Sequence, residues 1–213
     1  MEVKFHLPAP ERMKAKLASA GAVFQHRVFE HNECFDDERR RLRARGALLR
    51  LRCDSGCTLT YKERPAAAAP STEVKCYREL ETVIGDGDTL SQILQRIGFR
   101  PTVVYEKWRE TWAVDGAMLT VDTLPFGDFL EIEGSTDAIR RWAHTLGLPW
   151  ERRITANYLG IFGALKSRMG LGFSDVTFDN FNGLPVDFAR YEHLFAAGPE
   201  NGEALPNNGC PPS

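Results

Sequence analysis

Residues 47–63 read Ala47-Leu48-Leu49-Arg50-Leu51-Arg52-Cys53, then Asp54-Ser55-Gly56-Cys57, then Thr58-Leu59-Thr60-Tyr61-Lys62-Glu63. Apolar and polar side chains alternate in both halves, and Asp-Ser-Gly is turn chemistry, so the stretch predicts a β-hairpin. Side chains two apart in a strand share a face. Arg50 and Arg52 therefore point one way, as do Thr58, Thr60 and Lys62, while the leucines point the other.

The same spacing recurs outward from this hairpin. Strands are predicted at 3–7, 23–35, 47–53, 58–63, 72–84, 103–114, 118–124 and 129–133, with an Asp115-Gly116 hairpin turn. Their same-face polar pairs are sorted by strand: Glu2 and Lys4, Glu79 and Glu81, Lys107 and Arg109, Thr120 and Asp122, Glu131 and Glu133. Helical spacing predicts helices at 8–21, 86–97 (capped by Asp88 or Thr89), 135–146 and 156–167. Residues 36–45 read as a polar, Arg-rich loop, and Pro65–Pro70 as a flexible connection. About eight antiparallel strands tend to close on themselves to remove edges. The expected fold is thus mainly β (α+β): an eight-stranded antiparallel β-barrel with helices outside and the charged face turned inward. Residues 1–168 would form this domain and 169–213 a C-terminal extension. The aromatics of 173–195 would dock on the domain, and the Gly/Pro-rich stretch beyond Gly198 would be disordered.

The charge balance, 27 basic against 29 acidic residues, excludes a globally basic nucleic-acid coat and an acidic disordered chain. No nucleic-acid or membrane partner is expected, because no run approaches the roughly 20 apolar residues of a membrane span. The N-terminus shows no signal-peptide pattern, so a cytoplasmic protein is expected. The five cysteines form no CxxC pair, which argues against zinc and leaves reduced thiols as the expectation. Trp108 and Trp112 have the parity opposite to Lys107 and Arg109 and read as packing against helices. His6, on the face of Glu2 and Lys4, reads as a structural histidine.

An inward charged lining is costly unless a ligand or counter-ion neutralises it. Six cations on that face, Lys4, Arg50, Arg52, Lys62, Lys107 and Arg109, point to a polyanion. The carboxylates among them point to a hard divalent cation, Mg²⁺ or Mn²⁺. No GxxxxGK[ST] loop is present, so the phosphate chemistry is not of the P-loop kind. Such a lining would destabilise an empty tunnel, so substitutions there are expected to leave folding intact.

At these residues the sequence resembles the CYTH superfamily, the triphosphate tunnel metalloenzymes, over roughly residues 2–165. Glu2-Val3-Lys4 matches the second half of the family's ExExK signature, whose first Glu would fall ahead of Met1. Phe35-Asp36 resembles its aromatic-Asp segment. Leu49-Arg50-Leu51-Arg52 and Leu59-Thr60-Tyr61-Lys62 resemble its LRxR and LTxK strands, and Lys107-Trp108-Arg109 its KxR strand. Glu79-Leu80-Glu81, Leu119-Thr120-Val121-Asp122 and Phe129-Leu130-Glu131-Ile132-Glu133 resemble its acidic strands. Arg78 falls on the opposite face from Glu79 and is set aside as a ligand. The resemblance implies that the six cations hold phosphate oxygens. It implies that Glu2, Glu79, Asp122, Glu131 and Glu133 serve the metal. It makes Glu2 and Lys4 the catalytic pair, Glu2 orienting a water. The implied activity is metal-dependent hydrolysis of a triphosphate such as tripolyphosphate, ATP or thiamine triphosphate. The alternatives are a class IV adenylyl cyclase, releasing cyclic AMP and pyrophosphate, and a non-catalytic polyphosphate-binding module.

Overall fold

The structure, a computed structural model, describes residues 1–63 and 78–198. Eight strands run β1 (Glu2–His6), β2 (Val23–Asp37), β3 (Leu48–Cys53), β4 (Cys57–Glu63), β5 (Arg78–Ile84), β6 (Phe99–Val114), β7 (Ala117–Leu124) and β8 (Gly127–Gly134). They form one antiparallel sheet in the order β1-β8-β7-β6-β2-β3-β4-β5. Among the described residues no ladder joins β1 to β5, so the sheet curls without strict hydrogen-bonded closure. The outer edge of β1 is instead covered at Lys4, whose backbone exchanges hydrogen bonds with Ile154 at 3.0 and 2.7 Å. The predicted connection at 65–70 and the tail beyond Gly198 lie outside the described residues.

Five helices flank the sheet: α1 (Pro10–Ser19), the single turn α2 (Arg41–Ala44), α3 (Gly87–Arg96), α4 (Thr136–Thr145) and α5 (Tyr158–Met169). None of them is long and apolar enough to cross a membrane. The turn α2 occupies the stretch expected to be a loop. Asp36 explains it: its buried carboxylate accepts from the backbone N–H groups of Leu42 (3.0 Å) and Arg43 (2.9 Å). The cap of α3 is Asp86, which accepts from Thr89 N at 2.9 Å, rather than Asp88 or Thr89. Ser135 and Asn157 cap α4 and α5 in the same way.

The apolar core lies outside the sheet. Val3, Phe5, Leu119, Val121, Leu130 and Ile132 meet Leu17 of α1 and Ile139, Trp142 and Ala143 of α4. A smaller cluster joins Phe35 and Leu51 to Leu94 of α3. A third gathers Phe126, Phe129 and Tyr105 with Tyr158, Ile161, Phe162 and Leu165 of α5. Into this cluster come Val176, Phe181 and Phe188 of the segment after α5. That segment also lays Val176 against the free edge of β6, with Glu106 N donating to Val176 O at 2.9 Å and Val176 N to Val104 O at 2.8 Å. Trp112 packs in the α1/α4 cluster as expected. Trp108 instead lies against Phe29 (5.2 Å between centroids) and under the Arg27 guanidinium (4.0 Å).

Cys53 and Cys57, register partners at the tip of the β3–β4 hairpin, are joined by a disulfide. This corrects the expectation of reduced thiols. Four residues of separation read as an unpaired spacing in sequence, but the turn folds the two positions opposite each other.

Candidate functional site

Strand register places the sorted polar pairs on the concave face. Glu2 lies opposite Glu133 and Lys4 opposite Glu131, between β1 and β8. Glu131 in turn faces Thr120, and Asp122 faces Arg109, across β7. On the other flank Arg50 and Arg52 face Thr60 and Thr58, and Lys62 faces both Leu48 and Glu79. All eleven residues singled out from the sequence therefore share one face. Seven of them form two ion-paired groups. Lys4, Lys107, Arg109, Asp122 and Glu131 are drawn together in a buried network. Lys62 and Glu79 form a separate, more exposed pair at 2.8 Å.

In the buried network Lys4 is ion-paired to Glu2 and, at 3.1 Å, to Glu131. Arg109 spans Asp122 (Nε to Oδ1, 2.7 Å) and Glu131 (2.5 Å). Lys107 donates to Asp122 at 2.9 Å. Asp122 is fully buried, Lys4 and Lys107 only 3% exposed. Burial alone would lower the Lys4 ammonium pKa, but the charges of Glu131 and Glu2 more than reverse this and raise it. Burial likewise opposes the Glu131 carboxylate, yet Lys4, Arg109 and Lys107 hold it well below the usual carboxylate range. Both groups are charged at neutral pH.

The β2–β3 flank is different. Arg50 donates to the Tyr105 hydroxyl at 3.0 Å, and burial keeps that phenol protonated, its pKa pushed up to about 12. Arg52 lies 3.6 Å from Asp54. The Nε atoms of both arginines and Oδ1 of Asn32 are buried without a hydrogen-bond partner among the described residues. Buried polar atoms of folded proteins are normally satisfied; the two Nε–H groups are donors open to an anion's oxygens, while Asn32 Oδ1 can only accept.

Several residues on this face escaped the sequence reading. Glu30, 2% exposed, lies 3.5 Å from Lys107 and 3.7 Å from Arg109. Asn32 and Cys34 share its parity on β2, and burial raises the Cys34 thiol to about 12. Consecutive polar residues at positions 30–33 hide that parity in the sequence. Tyr158 reaches in from α5, and its hydroxyl donates to Asp122 at 2.9 Å. His6 is buried between the rings of Phe188 (4.7 Å) and Phe129 (5.9 Å), with Nδ1 3.5 Å from Glu192. Asp36, by contrast, faces the backbone of α2 and holds the Arg-rich turn. A surface groove at that turn, about 550 Å³, is lined by Asp37, Glu38, Arg39, Arg41 and Arg100. Its charges pair internally, Asp37 with Arg41 and Glu38 with Arg100, so it offers little net field.

Among the described residues no three acidic, histidine or cysteine side chains converge as a complete cage. Glu2 and Glu133 nevertheless face each other on adjacent strands, Glu131 lies next along the same face, and Glu133 has no partner of its own among the described residues. Two or three oxygen donors at the edge of a cationic wall suit a hard divalent cation whose remaining ligands are phosphate oxygens and water.

Comparison with known proteins agrees with this geometry. No curated protein matches the sequence. Among solved structures, the PH1012 protein of Pyrococcus horikoshii OT3 is 25% identical, with a TM-score of 0.63 over 74% of this chain and 96% of its own. A candidate adenylate cyclase from Vibrio parahaemolyticus is 20% identical, with a TM-score of 0.63 over 76% of this chain and 96% of its own. The adenylyl cyclase candidate HpAC1 from Hippeastrum, described as having a dominant triphosphatase activity, is 20% identical, with a TM-score of 0.57 over 76% and 94%. These last two likenesses speak to fold. The CYTH domain model matches residues 1–146, more than half of the sequence, and covers every strand that carries the charged face; the chain belongs to the CYTH domain family.

Proposed function

We propose that this CYTH domain hydrolyses a triphosphate on the concave charged face. The observation that carries the reading is the pair of buried Nε atoms of Arg50 and Arg52, which have no hydrogen-bond partner among the described residues and share the face of the Lys4–Lys107–Arg109 network. Guanidinium groups bind phosphate oxygens in pairs, and lysine ammonium groups act as point charges. Lys4, Arg50, Arg52, Lys62, Lys107 and Arg109 would bind successive phosphate oxygens. A three-phosphate chain carries enough negative charge to engage both flanks, which a monophosphate does not. Glu2, Glu131 and Glu133 would hold Mg²⁺ or Mn²⁺, which when bound neutralises phosphate charge and activates water.

Glu2 is the carboxylate best placed to orient the attacking water, since it is the most exposed member of the Lys4 network. Lys4, held between Glu2 and Glu131, then stabilises charge on the phosphoryl oxygens as the bond to the leaving phosphate breaks. Asp122 takes four hydrogen bonds from Lys107, Arg109 and Tyr158, so its role is to hold the cations rather than to reach a metal. Glu79 does the same for Lys62.

Hydrolysis is favoured over cyclisation because water needs no nucleobase pocket beside the cations, and because the Hippeastrum relative is described as chiefly a triphosphatase. The deciding experiment incubates the protein with tripolyphosphate, ATP or thiamine triphosphate in Mg²⁺ or Mn²⁺ and identifies the products. Orthophosphate is expected, and excess chelator should abolish its release. Pyrophosphate with cyclic AMP would establish a cyclase instead, and tight binding without any product a non-catalytic module.

A further inference from the structure

The family match ends at residue 146, yet one side chain beyond it stands inside the charged network. Tyr158 is the first residue of α5, which Asn157 caps by accepting from Gly160 N at 2.7 Å. That cap and the packing of Ile161, Phe162 and Leu165 fix the start of the helix against the sheet. The Tyr158 ring lies edge-on to Phe129, 5.3 Å between centroids. The same ring lies near two ammonium groups from different strands of the charged face, Lys4 of β1 at 5.2 Å and Lys107 of β6 at 5.4 Å. Its hydroxyl donates to Asp122 Oδ2, the oxygen that also receives Lys107 and Arg109.

We infer that Tyr158 is a positioning residue for phosphate binding: its hydroxyl takes up part of the Asp122 acceptor capacity, leaving Lys107 and Arg109 free to exchange Asp122 for phosphate oxygens. The inference rests on the triphosphate reading of the same face. The physical argument is competitive. A buried carboxylate with only cationic donors pulls them in at full strength, and an incoming phosphate must break those contacts. A neutral phenol donor on the same oxygen satisfies one acceptor site without adding charge. Burial, followed by the charges of Asp122 and Glu131, raises the Tyr158 pKa well above the phenol norm, so the donor keeps its proton throughout the assay range. The ring adds a cation–π contact to two ammonium groups that are already ion-paired, Lys4 to Glu131 and Lys107 to Asp122.

The test is Tyr158→Phe, which keeps the ring and its packing and removes only the hydroxyl. Two readouts are taken: KM and kcat for tripolyphosphate, and the dissociation constant of tripolyphosphate by calorimetry on metal-free protein. Loss of a hydrogen bond to a charged acceptor predicts roughly tenfold weaker binding and a KM raised by about the same factor, with kcat within about twofold. Phe162→Leu, one turn along α5, serves as the packing control: it should lower the melting temperature and leave KM unchanged. Equal KM and dissociation constant in Tyr158→Phe and the parent would overturn the inference. So would a Phe162→Leu variant that weakens binding as much, since that would reduce Tyr158 to a packing role. If the parent binds tripolyphosphate without turning it over, the hydrolase reading falls while the calorimetric arm still decides on Tyr158. If the parent does not bind it at all, both fall together.

Discussion

Arg109 and Arg52 occupy equivalent places in their sequence motifs, yet their surroundings differ, and so should the effects of removing them. Arg109 bridges Asp122, Glu131 and Glu30 in a buried network. Arg109→Ala leaves three buried carboxylates to Lys4 and Lys107 alone; breaking a buried pair costs about 3–5 kcal/mol, so its melting temperature should fall sharply. Arg52 makes one 3.6 Å contact with Asp54, so Arg52→Ala should shift stability by under about 1 kcal/mol and chiefly raise KM. Calorimetric melting and steady-state kinetics on both variants check this contrast. It revises the expectation that the tunnel charges weigh on the fold as unpaired like charges: in the structure they neutralise one another. Their titration also sets a pH window. Glu131 has a depressed folded pKa, so its contribution is present above its unfolded value near 4.5 and is lost as pH falls through the folded one. Lys4 is raised, so its contribution is whole below about 10.5 and is lost only as pH climbs through the folded value. Melting temperature should therefore fall on acidification below about pH 4.5, and Glu131→Gln, though less stable at pH 7, should show a shallower acid limb. The paired positions on β3, β6 and β8 were legible because a two-residue period fixes the shared face directly. Glu30 and Asn32 were not, because β2 carries polar residues at consecutive positions, Glu30-His31-Asn32-Glu33, and register shifts interrupt it at Phe24/His26 and Cys34/Phe35. No local period then tells which side chains point inward. Tyr158 lay out of reach of any strand argument, since a long-range docking of α5 puts it there.

At the scale of elements, most strands and helices follow from alternation, helical spacing and turn chemistry, and their ends move by a few residues. Gly116 takes φ +70° in the predicted Asp115-Gly116 turn, where glycine is unstrained. The largest extension is at β6, which begins at Phe99 although Pro101 interrupts the apparent strand pattern. Proline is tolerated there because the β7 ladder starts only at Trp108, leaving that side of residues 99–107 without a neighbouring strand. The turn α2 was hidden because its stability comes from outside its own sequence, from Asp36. Asp36→Ala should remove acceptors for three backbone N–H groups, those of Asp37, Leu42 and Arg43, and cost about 3 kcal/mol. Chemical denaturation would register that loss, with the largest change in amide exchange protection at residues 37–43. Asn157→Ala should cost about 1 kcal/mol through the lost cap of α5.

For the whole molecule, the segment from Leu171 to Gly198 is a structural partner of the sheet. Phe188 packs on Phe129 at 4.9 Å and stacks near Phe195 at 5.6 Å, while Phe181 meets Phe126 and Phe162. A chain ending after Met169 should bare Phe126, Phe129 and Phe162 and melt far lower or aggregate. A chain ending after Gly198 should keep both melting temperature and turnover. Loss of either in the longer truncation would show that the last fifteen or so residues contribute after all. One feature of this arrangement reaches into how the chain is made. Lys4 is bridged to Ile154, and Ile154 to Ala196, so the earliest strand is sealed by some of the latest described residues. On the ribosome β1 waits for β8, then for residue 154, and finally for residue 196 before its edge is covered. Contacts of such long sequence separation form slowly. A nascent chain therefore carries an uncovered, charged sheet edge at β1 until residues 154 and 196 have been made and have docked.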